Sequence, residues 1–183
     1  MIRKSANCST TNNSGFTLIE MFIFICIVGI VAAIGIPAFS AWIPDYRLRC
    51  KVKELYADMH LAKAKALREN DKYKIVFSPD TDTSYRLIKP DGVVDKSVSF
   101  SSSDSDSKID FGCGAATKNA TKSGGTLPDD GVSYAGNTLT FNPRGTGSSG
   151  FVYLHNSKGT SYAIGTLSSG VIHIKKWNGS VWE

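Results

Sequence analysis

The stretch Met21–Pro44, MFIFICIVGIVAAIGIPAFSAWIP, decides the fold because it contains no charged residue. Its uninterrupted part, from Met21 to Ala38, would span about 27 Å as a helix, close to the ~30 Å hydrocarbon core of a bilayer. A buried core helix is the alternative, but this stretch is apolar on every face and has no polar stripe to meet water. The sequence therefore predicts a membrane-spanning helix.

The composition of the whole chain is otherwise that of a globular protein. Of its 183 residues, 42% are hydrophobic and 20% are charged, which excludes wholesale disorder. The net charge of +5 is a mild excess that does not by itself imply nucleic acid. Four cysteines are too few for a small domain built on disulfides. These values fit one domain attached to the apolar segment.

A polar leader with two basic residues, Arg3 and Lys4, precedes the apolar run. A secretory signal peptide has the reverse order, with its apolar stretch before the cleavage site. Glu20 lies near the start of the apolar region, one turn after Phe16. A carboxylate in a membrane helix is costly and usually marks a functional site with a partner. A glutamate that reaches the lipid head groups is the alternative interpretation.

The sequence GFTLIE, Gly15–Glu20, followed by some twenty apolar residues, resembles the N-terminus of type IV pilins and type II secretion pseudopilins. In that family a prepilin peptidase cuts after the glycine and N-methylates the new first residue. The resemblance therefore implies cleavage between Gly15 and Phe16 and methylation of Phe16. It also implies that Glu20 pairs with the α-amine of a neighbouring subunit and so sets the register of assembly. Pro37 falls where pilin helices commonly kink.

The segment Tyr46–Asn70 reads as a helix with one apolar stripe. The stripe residues are spaced by three and four: Leu48, Val52, Leu55, Met59, Ala62 and Ala66. Such a stripe predicts packing on a β-sheet. Seven basic and three acidic residues give this segment a charge of +4, which we interpret as a solvated face rather than a nucleic-acid surface.

Short β-like segments separated by turns follow Asn70 and predict antiparallel strands; the first of them alternates, with Tyr73, Ile75 and Phe77 on one face. They cover residues 72–78, 84–89, 93–100, 108–111, 138–142, 151–155, 161–167 and 171–177. Residues 101–107 and 112–130 are predicted loops. The expected fold is α+β, the type IV pilin fold, with a long N-terminal helix whose second half packs on an antiparallel sheet. The expected divisions are a leader at 1–15, a transmembrane or filament-core helix at 16–44, a periplasmic amphipathic helix at 45–71 and a β-rich domain at 72–183.

Three later segments resemble the GspH/FimT class: Ala62–Asn70, Phe141–Gly145 and Ser168–Val171. This resemblance implies a minor pilin or minor pseudopilin without enzymatic activity or cofactor, at the tip or initiating complex of a type IV pilus or type II secretion pseudopilus. Its implied place is the bacterial inner membrane, with the C-terminal domain in the periplasm, although basic residues just after the apolar run oppose that orientation. The implied partners are prepilin peptidase, other pilin or pseudopilin subunits, an inner-membrane assembly platform and membrane lipid.

The cysteines leave one disulfide to consider. Cys8 would depart with the leader and Cys26 lies in the apolar run, so Cys50 and Cys113 are the two that would face an oxidising periplasm. A bridge between them would tie the helix to the sheet. Two free thiols are the alternative.

A second function, DNA binding, is implied by the FimT branch, some members of which resemble DNA receptors. The candidate contacts are Arg144, Lys175 and Lys176 for phosphates and Trp177 for stacking. However, Gly170–His173 lacks the arginines that DNA-binding members carry after this glycine. The structural role is therefore the preferred prediction.

Other chemical motifs do not have the context they need. Gly145–Gly150 matches a dinucleotide fingerprint in spacing, but a predicted strand follows it where a helix is required. His60, His155 and His173 have no ligand spacing and no paired cysteines, so no metal site is predicted. No nucleophile elbow or other catalytic constellation is present.

Overall fold

The computed structural model describes residues 15–80, 83–100, 108–121 and 125–183, so the predicted loop at 101–107 lies outside the described residues. The chain divides after Ser40 into two compact units. One helix, α1, covers Leu18–Glu69. It ends at Asn70, whose φ of 54° is left-handed, and the amide of Asp71 donates to the carbonyl of Ala66. This is the helix-ending motif in which asparagine often replaces glycine.

Eight strands follow, each on a segment where the sequence predicted one. They are β1 Tyr73–Ser78, β2 Ser84–Ile88, β3 Val94–Ser99, β4 Ile109–Phe111, β5 Thr138–Phe141, β6 Gly150–Asn156, β7 Ser161–Thr166 and β8 Ile172–Lys176. A three-residue 3-10 segment, Ala135–Asn137, precedes β5. The predicted loop at 112–130 contains no strand in its described part.

The strands form two antiparallel sheets of four rather than one. The first has the order β3-β2-β1-β5 and the second has the order β4-β6-β7-β8. Each of the hairpins β1–β2, β2–β3, β6–β7 and β7–β8 joins neighbours in sequence. The α+β prediction is confirmed.

The apolar stripe of α1 is the centre of the core, as its spacing predicted. All six stripe residues are buried and belong to one cluster with side chains of both sheets. The first sheet contributes Tyr73, Ile75, Phe77, Tyr85 and Leu87, and the second contributes Val152, Leu154, Ile164 and Ile172. Because α1 packs against both sheets, its stripe joins them into one hydrophobic core.

The second sheet also has a covered outer face. Phe151 and Tyr153 alternate with Val152 and Leu154 along β6, and they pack in a separate cluster with Ala120 of the 112–130 loop. The hydroxyl of Tyr153 accepts a hydrogen bond from the amide of Ala120 at 2.9 Å. This loop therefore shields from water the face of β6 that points away from α1.

Candidate functional site

The bond between Gly15 and Phe16 lies just outside the helix. Residues 15–17 are not helical, both partners of the bond are exposed, and Thr17 caps α1. The amide of Glu20 donates to the side-chain oxygen of Thr17 at 3.2 Å. A Cβ placed on Gly15 would meet no atom within 4 Å, so nothing in the described chain requires glycine there. A requirement for glycine here would therefore have to come from outside the described chain.

Glu20 is exposed in the first turn of α1. A carboxylate there is favoured by the partial positive charge of the helix N-terminus. No ion pair joins Glu20 to a described residue. Within the described chain, its carboxylate is therefore available to a cation from outside.

The first part of α1 presents apolar side chains in every direction. Leu18–Gly35 is the one described segment that is long and apolar enough to cross a membrane, and none of it is buried. Exposed large side chains include Phe22, Phe24, Ile25, Ile27 and Ile30. The helix continues through Pro37, where the kink stays a prediction.

Cys50 and Cys113 are free thiols in the structure, so the bridge considered from the sequence is not formed. Cys50 is exposed on α1, whereas Cys113 packs against the outer cluster of the second sheet. The second sheet therefore separates Cys113 from α1. Burial, with a smaller effect of Asp130, raises the pKa of Cys113 to about 11.

The candidate DNA contacts are only partly available. Lys175 donates to the carbonyl of Ala120 at 2.6 Å and lies over the ring of Phe151, at 5.5 Å from its centroid. Trp177 is buried, so its ring is not free to stack on a base. Arg144 and Lys176 are exposed. These contacts do not support the DNA-binding alternative.

The glycine-rich segment 145–150 follows a turn and leads directly into a strand, not into a helix. The amide of Gly145 donates to the carbonyl of Asn142, and β6 begins at Gly150. Among the described residues, no group of three or more metal-ligating side chains could hold a metal ion.

Sequence reasoning missed a polar cluster between α1 and the first sheet. Buried Asp58 accepts from the hydroxyl of Tyr85 at 2.6 Å and from the ammonium of Lys96 at 2.9 and 2.8 Å. Burial, with the hydrogen bond to Asp58, raises the pKa of Tyr85, which keeps its hydroxyl a donor. The one signal in the sequence was an aspartate directly before the stripe residue Met59.

It also missed a polar anchor near the start of the second unit. Asp45 accepts from the side chains of Asn156 at 2.7 Å and Thr160 at 2.8 Å, both at the β6–β7 turn. Burial alone would raise the pKa of Asp45, but these hydrogen bonds and the charges of Lys158 and Lys176 lower it below its ordinary value. This anchor holds the β6–β7 turn against α1.

Comparison with known families identifies the domain. The family model for the type II transport protein GspH matches residues 51–170, about two-thirds of the chain. The match includes most of the α1 stripe and seven of the eight strands. No solved structure gives a significant match.

Proposed function

This chain belongs to the GspH family of type II transport proteins, and we propose that it is a minor pseudopilin or minor pilin of a tip or initiating complex. Members of this family are structural pseudopilins rather than enzymes. The observation that carries the proposal is the apolar segment Leu18–Gly35, none of which is buried and which is joined to a folded domain. Such a segment needs either lipid or the apolar segments of other subunits around it.

Maturation is the first step of the proposed function. Prepilin peptidase cuts between Gly15 and Phe16 and methylates Phe16. The exposed, non-helical backbone at this bond supports the proposal, since a protease needs an accessible extended segment. Replacing Gly15 with a bulky residue should block cleavage and leave membrane insertion intact. A variant that still migrates as the shortened chain would contradict the cleavage site.

Assembly is the second step, in which Glu20 pairs with the α-amine of an adjacent subunit. Glu20→Ala removes the partner of that amine in an apolar filament core. An unpaired buried charge costs about 3–5 kcal/mol, enough to suppress incorporation more than a hundredfold. The variant should be processed and retained in the membrane, because the change removes a costly charge from the apolar helix.

The measurement is a crosslink to partner subunits, normalised to the amount of each variant in the membrane. Glu20→Asp, which keeps the charge, is the control and should retain part of the incorporation. Normal incorporation of Glu20→Ala would show that the subunit docks without this pair.

Orientation is tested with the exposed thiol of Cys50. With the domain in the periplasm, a membrane-impermeant maleimide should label Cys50 in spheroplasts, whose outer surface is accessible. Cys50→Ser is the control that assigns the label. Labelling only after lysis would place the domain in the cytoplasm.

A further inference from the structure

A polar groove of about 650 Å³ lies between the β6–β7 turn and the end of β8. The turn contributes Lys158 and Thr160, and the residues from β8 onward contribute Lys176, Trp177 and Glu183. Trp177 is buried, while the two lysines and the glutamate are exposed. The groove is therefore lined by charges of both signs.

One groove residue is hydrogen-bonded to the residue that directly follows the apolar run. Thr160 donates to Asp45 at 2.8 Å, and both groove lysines lie close enough to lower the pKa of Asp45, against the effect of burial and together with its hydrogen bonds. Asp45 is the first charged residue after the apolar run that ends at Pro44. A chain anchored by that run has its first charged residue near the head groups of the lipid.

Two exposed aromatic side chains flank Asp45 on α1. Trp42 and Tyr46 are 55% and 51% exposed, and their stacked ring centroids are 4.9 Å apart. Tryptophan and tyrosine are enriched at the membrane–water interface, where one part of the ring is apolar and the other is wet. Two exposed aromatic rings beside Asp45 are therefore typical of side chains that contact lipid head groups.

The charges in the groove have a defined arrangement. The backbones of Lys176 and Glu183 pair reciprocally, with N–H to carbonyl distances of 2.6 and 2.9 Å, which places them on opposite sides of a short antiparallel turn. No ion pair joins the side chains of these two described residues. The Glu183 carboxylate instead accepts from the side chain of Asn178. A ligand with a negative and a positive group would satisfy both signs.

We propose that this groove binds the head group of phosphatidylethanolamine. Lys176 holds its phosphate, and Glu183 accepts from its ammonium. A purely anionic head group would leave the glutamate facing a negative charge, and a choline head group has no N–H to donate. The proposal rests on membrane insertion of the apolar run and does not depend on assembly with other subunits.

The test is an NMR titration of the isotope-labelled full chain in micelles of a neutral detergent. The probes are dihexanoyl phosphatidylethanolamine, the matching phosphatidylcholine and phosphatidylglycerol, and inorganic phosphate. The ethanolamine lipid should shift the amides of Gly159, Thr160 and Asn178 saturably, with the other probes weaker by about tenfold. Equal shifts with the choline lipid would overturn the proposal. Equal shifts with inorganic phosphate would make the groove a phosphate site and not a lipid site.

Variants identify the groups that recognise the lipid. Lys176→Gln should weaken the ethanolamine lipid about tenfold through loss of a charge-assisted hydrogen bond. Glu183→Gln should remove the preference for ethanolamine over choline. Lys74→Gln, an exposed lysine on β1, makes the same charge change elsewhere and should have no effect. Unchanged binding by both groove variants, with otherwise native spectra, would refute the site. Failure of membrane insertion would be seen separately, as a full chain that needs no detergent.

Discussion

The buried carboxylate of Asp58 gives the sharpest test of how α1 is held on the first sheet. Asp58→Ala removes the acceptor for the hydroxyl of Tyr85, which is fully buried. An orphaned buried hydroxyl costs about 1–3 kcal/mol. The ion pair with Lys96 adds less than about 1 kcal/mol, because that lysine side chain is 39% exposed and can return to water. We expect a total loss of about 3 kcal/mol in the free energy of unfolding.

The assay is urea denaturation of a fragment that begins at Pro44. The buried core residues of the described chain lie from Leu48 onward, so the fragment should be soluble and folded without the apolar run. Lys51→Ala is the control, since the side chains of Lys51 and its partner Glu54 are 36% and 35% exposed, and this i,i+3 pair should contribute less than about 0.5 kcal/mol. A loss for Asp58→Ala as small as that of the control would refute the reasoning.

A double-mutant cycle with Tyr85→Phe separates the hydrogen bond from the other effects of the change. Tyr85→Phe alone should cost about 1.5 kcal/mol, since it removes one hydrogen bond to a charged group. Once Asp58 is alanine, Tyr85→Phe should recover part of the loss, because it removes the orphaned hydroxyl. The coupling energy should therefore be at least about 1.5 kcal/mol. Additive losses would show that the two side chains contribute independently.

Three further outcomes are expected. Gly170→Ala should destabilise the fragment by more than about 3 kcal/mol, because Gly170 has a φ of +76° and an added Cβ would lie 1.9 Å from the carbonyl oxygen of Gly145. Urea denaturation midpoints measure this loss, and an unchanged midpoint would contradict it. Because folding lowers the pKa of Asp45 from its ordinary value of 3.8, its carboxylate contributes stability at pH values above 3.8. This contribution is lost as the pH falls through the pKa of the folded state, so Asp45→Asn should flatten the acid limb of a stability–pH curve. Maleimide at pH 7 should label the exposed Cys50 quickly and Cys113 slowly, since only the thiolate reacts and burial raises the pKa of Cys113 to about 11. Equal labelling rates would contradict the burial of Cys113.

Local patterns in the sequence were sufficient for the elements of the fold. The stripe spaced by three and four from Leu48 to Ala66 is buried throughout, because residues at that spacing share one helix face whatever packs on it. Alternation of the kind seen in Tyr73, Ile75 and Phe77 places one face of a strand inward by the same local geometry. These periodicities depend on neighbours along the chain, and so do the turn signals that separated the other predicted strands.

The sequence by itself determined the apolar segment, the motif Gly15–Glu20 and the order of the elements, because each is written in consecutive residues. Tertiary structure alone decided which distant residues meet. It divided the strands between two sheets and put Cys113 on the face of the second sheet that points away from α1. It also brought Asp45 to Thr160, across 115 positions of the chain. Such contacts depend on strand order and on which face each side chain occupies, and neither is encoded in the period of a single segment.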